Sequence, residues 1–117
     1  MHPSKELEAV VRRFLDARVA LDIDAMKALH SKSEFVRQIG SDRDEWGQGF
    51  DATVQAWLDN QTDSWRVAEA SLLRIEAYEN GETGWAAVEQ ERTLVNGQVF
   101  VFRITTVFVL VDYARKL

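Results

Sequence analysis

The chain has 117 residues, 46% hydrophobic and 10% aromatic, with 14 Lys and Arg against 19 Asp and Glu for a net charge of −5. Length and apolar content fit one domain, residues 1–117, burying about two-thirds of its unfolded surface, and they exclude a disordered chain. The acidic balance argues against a nucleic-acid partner, and the lack of cysteine removes disulfides, thiolate nucleophiles and Cys-based zinc sites.

The opening MHPSKELEAVV carries no long apolar leader, and VFVFRITTVFVLV is too short for a membrane span and is interrupted by Arg103. The expectation is a soluble, cytoplasmic protein without a membrane partner. Leu7, Val10, Val11, Phe14, Leu15, Arg18 and Leu21 recur at helical spacing, with Ser4 as N-cap and Glu6 and Glu8 in the first turn, which predicts a helix over about 4–20. Asp22 caps a second, short helix whose inner face is Ile23, Met26 and Leu29. Glu34 to Ile39 reads as a short strand. Phe50, Val54 and Trp57 then define a third helix ending near Asn60.

From Trp65 the period changes to two. SLLRIEAY, GWAAVEQERTLV and QVFVFRITTVFVLV are β-rich runs separated by Asn80-Gly81 and Asn96-Gly97. Helices followed by a meander of strands predict an α+β fold with an antiparallel sheet.

The segment IGSDRDEWGQG, residues 39–49, holds two motif fragments. Asp42-x-Asp44-x-x-Gly47 matches the front of a calcium-binding EF-hand loop. The fifth position, however, is Trp46, and the twelfth is Thr53 where a bidentate Glu is required. GQGFDA (Gly47, Gly49, Ala52) matches the dinucleotide fingerprint, but it does not directly follow a strand, and hairpins rather than a parallel strand come next. A strand-to-helix corner accounts for the segment better, with Gly47 and Gly49 turning the chain, Asp44 and Glu45 ahead of a helix N-terminus, and Trp46 and Phe50 as apolar anchors.

At this corner a family resemblance enters. IGSDRDEWGQGF resembles the Ile-Gly-Thr-Asp-x-x-Glu-Trp…Gly signature of SnoaL-like domains in the nuclear-transport-factor-2-like (NTF2-like) superfamily. GWAAVEQ is similar to that family's strand with a buried Trp, and FRITTVFVLV to its Arg-x-Thr-x-Val strand. The resemblance implies a cone: helices packed into the concave side of a curved sheet around a cavity, commonly in a homodimer. One departure stands out. Members continue from the Arg-x-Thr strand into a final strand with a Trp and a His, whereas here DYARKL follows. The expectation is a copy lacking that strand, with an open edge for pairing, or a sheet that closes differently.

A two-residue turn at Asn96-Gly97 would place Val95 opposite Gln98. Trp85, Ala87, Glu89, Glu91 and Thr93 then share a face with Phe100, Phe102, Ile104, Thr106 and Phe108, while Gln90, Arg92 and Arg103 lie on the other. Both faces are largely apolar, so both should be covered, one by helices and one by a second copy of the chain. In related domains the residue after the Thr of Arg-x-Thr points into the cone, so the resemblance implies an interior bearing Trp85, Ile104, Thr106 and Phe108. Phe14, Arg18, Trp46, Phe50 and Trp57 would complete the ligand-binding wall, and the outer face would form the homodimer.

On this map Glu89 is a carboxylate among apolar groups. It is a candidate general base if desolvated; otherwise the sheet splays at this end, and Glu89 and Glu91 are solvated at the cone's mouth or paired with Arg18. His30 reads as a surface cap at a helix C-terminus. His2 and His30 form no metal-binding pair, Ser31, Ser33 and Ser71 have no His and Asp companions, and neither a metal nor a cofactor is expected. The four Trp residues, 46, 57, 65 and 85, read mostly as core.

Three functions stay open. One is a small-molecule-binding domain whose apolar, Trp-lined pocket takes a hydrophobic or aromatic ligand. Another is an isomerase, cyclase or epoxide-hydrolase-type enzyme using Glu89. The third is a dimerisation module. A ketosteroid-isomerase chemistry is disfavoured, since no Asp lies on the expected pocket face and Tyr78 and Tyr113 sit at strand ends.

Overall fold

The computed structural model describes residues 1–39, 46–59, 66–111 and 114–117. Helix α1 spans Lys5–Ala20. Its N-cap Ser4 accepts a hydrogen bond from the Leu7 N–H at 3.1 Å and donates one to the Glu79 carboxylate at 2.8 Å. The cap therefore also ties the helix to the sheet. The chain leaves α1 through Leu21 in the left-handed region (φ 54), and Asp22 caps α2, Ile23–Leu29, by accepting from the Ala25 N–H at 3.1 Å.

Strands β2 (Arg37–Ile39) and β3 (Trp46–Gln48) form a separate two-stranded sheet, and α3 follows over Phe50–Asp59. The strand-to-helix corner is Gly49. It has φ 88, its N–H donates to the Val36 carbonyl at 2.7 Å, and its carbonyl accepts from both the N–H and the hydroxyl of Thr53. Gly47 lies within β3, while Asp42, Asp44 and Glu45 fall outside the described residues. Trp46, expected to be an anchor, is 59% exposed on the β2–β3 ribbon.

The main sheet is antiparallel, in the order β1-β4-β5-β6-β7, with β1 at His2–Pro3, β4 at Val67–Glu79, β5 at Thr83–Leu94, β6 at Val99–Val111 and β7 at Ala114–Lys116. Of the two expectations for DYARKL, the second holds and the sheet closes differently: its ARK turns back along the β6 edge as β7. Leu117 then exchanges main-chain hydrogen bonds with the end of α2, donating to the Leu29 carbonyl at 3.0 Å and accepting from the Ser31 N–H at 2.8 Å. In β4 the register shifts between Val67 and Glu69 and again between Leu72 and Arg74. Extra residues of this kind bend a strand and raise its twist, so they curl the sheet around the helices.

The β5–β6 register corrects an expectation. The Leu94 N–H donates to the Gln98 carbonyl at 2.8 Å, so the loop is Val95-Asn96-Gly97, three residues rather than two. Gly97 takes the left-handed position (φ 88), and Asn96 Oδ1 accepts from the Gln98 N–H at 2.9 Å. The pairing moves by one residue: Trp85 faces Val107, Ala86 faces Thr106, Glu89 faces Arg103 and Gln90 faces Phe102. Because side chains alternate, that single step exchanges the two faces of β5 while leaving those of β6 in place.

Two apolar clusters flank α1. Leu7, Val10, Val11 and Leu15 pack on Ala77, Ala86, Val88 and Phe108 of the sheet. Phe14 and Ala17 pack with Met26, Val54 and Trp57 on the side of α2 and α3. The first contact is close. A Cβ at Gly84 would lie 2.6 Å from the Tyr78 carbonyl and nearer still to Leu7. Among the described residues no helix is long and apolar enough to cross a membrane.

Candidate functional site

The concave face is read from the packing against α1. It carries Ala86, Val88, Gln90, Arg92 and Leu94 of β5 and, across the ladder, Phe100, Phe102, Ile104, Thr106 and Phe108 of β6. Toward Phe108, which is fully buried, this face is solid core. Toward Phe100 and Phe102, both half-buried, it is polar at its centre and opens.

Arg92 dominates this open end. It is 6% exposed, and its Nε donates to Gln90 Oε1 at 2.6 Å. Its guanidinium lies 4.1 Å above the centroid of the Phe102 ring, while its Nη2 is buried without a hydrogen-bond partner. Burial, and secondarily the charge of Arg18, lower its pKa to about 10, which still leaves it cationic at neutral pH. Arg18 of α1 is half-buried and is itself lowered by desolvation. Among the described residues neither arginine has a carboxylate within ion-pair distance. Replacing a buried charge by an apolar side chain of like volume is commonly neutral or stabilising by about 1–4 kcal/mol. Stability of the fold is thus a poor reason for Arg92 to stand there.

His30, expected at the surface, is 8% exposed. Its ring packs edge-on against Phe14 (5.2 Å between centroids) and Trp57 (4.7 Å). Nδ1 lies 2.9 Å from the Met26 carbonyl. A carbonyl only accepts, so Nδ1 carries the proton and Nε2 keeps a lone pair in the neutral ring. Desolvation first, and the nearby Arg18 charge also, hold its pKa below 6.5 against the opposing pull of the Met26 bond. Thr106 adds a buried hydroxyl without a partner on the same sheet face.

Apart from Trp46, which is exposed on the β2–β3 ribbon, the residues expected to form the wall divide three ways. Phe14, Arg18 and Trp57 stand on the helix side of the cone, with Ile104, Thr106 and Phe108 on the sheet face toward them. Phe50 is half-buried beside a surface hollow of about 200 Å³ between α2 and α3. Trp85 and Glu89 are on the outer face. Trp85 stacks on Tyr78 (5.1 Å between centroids), and Glu89 accepts from Arg103 Nε at 2.8 Å. The register shift removes both from the interior and brings in Gln90 and Arg92, expected on the outer face. The chain carried a divided signal for this: the odd-numbered residues of β5 include two carboxylates, Glu89 and Glu91, whereas the even-numbered set places one charge, Arg92, beside Ala86, Val88 and Leu94. A groove of about 300 Å³ between α1 and β4, lined by Leu15, Asp16, Val19, Leu72 and Gln90 among others, reaches the same polar centre at Gln90.

Helices in the concavity of a bent antiparallel sheet, with polar groups collected at its open end, define an α+β cone of the NTF2-like class. The family model for the SnoaL-like domain matches residues 7–114, and the chain belongs to that family. Among similar solved structures is an NTF2-like protein of unknown function from Pseudomonas putida KT2440, with TM-score 0.80 and 13% identity over 95% of this chain and 78% of that one. Another, from Shewanella oneidensis MR-1, has TM-score 0.73 and 13% identity over 95% and 90%. An LEH-like epoxide hydrolase from M. tuberculosis has TM-score 0.59 and 19% identity over 92% and 75%. At these identities the likeness is one of fold. No curated protein sequence matches the chain.

Proposed function

We propose that this SnoaL-like domain binds a small organic molecule with a flat apolar body at the open end of the cone. The ligand would lie between Arg18 on the helix side and Gln90, Arg92, Phe102 and Thr106 on the sheet. The supporting observation is the unspent hydrogen-bonding capacity of Arg92 Nη2 and Thr106 Oγ1 on a sheet face that, Gln90 apart, is otherwise apolar. A few fixed polar groups in an aromatic wall are what orient a small ligand. The test is intrinsic fluorescence titrated with hydrophobic carboxylates, steroids and polyketide-like aromatics. Saturable change in the wild type, weakened at least about tenfold by Thr106→Trp, is the expected outcome. A flat response to every member sinks the reading.

An enzyme is the second reading. The base it would use is His30, since its neutral ring retains a lone pair on Nε2, whereas Glu89 is committed to Arg103 on the opposite face. The fold it shares with an epoxide hydrolase keeps that chemistry in view. Turnover of an added aryl epoxide, or of a ketone from the panel, that survives Glu89→Gln and fails in His30→Ala would support it. We further propose that the outer sheet face joins two copies of the chain, because Val99, Val101, Val107 and Val109 form an exposed β-branched row along β6.

A further inference from the structure

Resting on the small-molecule reading above, we propose that the ligand is an anion: a carboxylate on an aromatic-sized apolar body, received by the guanidinium of Arg92 with Arg18 beside it. The chain carries a net charge of −5, yet the carboxylates that could neutralise these two cations are placed elsewhere. On the sheet, Glu89 pairs with Arg103 at 2.8 Å and Glu76 with Arg74 at 3.4 Å, both on the outer face. On α1, Asp16 is exposed on the groove that reaches Gln90 but makes no ion pair with either arginine, and Glu8 pairs with Lys5. Among the described residues, then, the concave face holds two guanidinium groups and no carboxylate against them.

The guanidinium of Arg92 is also oriented. Gln90 Oε1 takes Nε, the Phe102 ring takes one face of the plane, and the edge that remains contains the unpartnered Nη2. An Nη edge presents two parallel N–H groups, which match the two oxygens of a carboxylate and match an amide or alcohol poorly. Phe102 beneath the plane and Phe100 beside it, 6.3 Å between ring centroids, supply apolar surface next to that edge. The body of the ligand would meet aromatic rings while its charge meets Arg92. Arg18 adds a second positive charge from the helix side, and its half-exposed position suits a group that lies at the entrance.

The experiment is calorimetric titration of the full chain with benzoate, 3-phenylpropionate and 2-naphthoate, each alongside its primary amide. In the wild type at least one acid should bind about tenfold or more tighter than its amide. In Arg92→Met that preference should collapse to within about twofold while the melting temperature holds or rises, because the charge served the ligand and not the fold. Arg92→Lys keeps the charge and loses the fork. It should weaken the acid several-fold and leave the amide unchanged, so the idea remains testable if the Met variant does not fold. Equal binding of acid and amide overturns the anion proposal and leaves the small-molecule reading standing. Acid preference retained in both Arg92 variants overturns the assignment to Arg92. No saturable binding of any acid or amide up to about 10 mM overturns both.

Discussion

His30 ends a seven-residue helix, a position where a charged imidazole at the surface would suit the helix dipole. Its neighbours decide otherwise. Phe14 comes from α1 and Trp57 from α3, and both rings close over it. The sign of the resulting pH dependence follows. The unfolded chain takes up a proton at His30 below about 6.5, and the folded chain resists until lower pH, so stability is intact above that value and drains as pH falls through it. We expect the urea midpoint to fall between pH 7 and pH 5 in the wild type and to fall less steeply in His30→Asn. Parallel slopes for the two proteins would refute the burial argument. The spacing of Met26 and His30 was legible in the chain, since it places the ring near its own helix's carbonyl. The rings that desolvate it belong to other elements and were not.

The β5–β6 loop shows the same limit one level up. Asn96-Gly97 marks a hairpin in any reading, but the dipeptide serves a two-residue turn and the end of a three-residue loop equally well. What selects the longer loop is the face it buries: Ala86, Val88 and Leu94 go inward, and Glu89 and Glu91 stay outside. Gly97 at φ 88 is the residue that permits it. Gly97→Ala should therefore cost about 1 kcal/mol in chemical denaturation, because a Cβ is disfavoured at that backbone angle. A change near zero would mean that the turn had relaxed to another type. The helices were easier to read, since Ser4 and Asp22 each cap through their own side chain on a backbone only three residues away. Short-range signals of that kind survive without knowledge of the fold.

At the scale of the whole molecule, the sheet has two faces with different needs. One is covered by α1 and closed at one end by Phe108. The other shows Val107 at 67%, Val99 at 54% and Val101 at 49% exposure, more apolar surface than an isolated sheet usually leaves in water. The proposed pairing of two copies predicts a dimer for the wild type in sedimentation at micromolar concentration and a monomer for Val101→Glu with Val107→Glu, with the circular dichroism melt retained. A wild type that sediments as a monomer throughout would rule it out. The sequence by itself determined the three helices, the run of long strands, the α+β class and the family, because caps, periodicity and turn residues act over a few positions. Only the tertiary structure decided which side of β5 faces the helices, and with it the exchange of Trp85 and Glu89 for Gln90 and Arg92 at the candidate site. A register shift of one residue leaves every local preference satisfied; the choice is made by the total free energy of burying one whole face against α1 rather than the other.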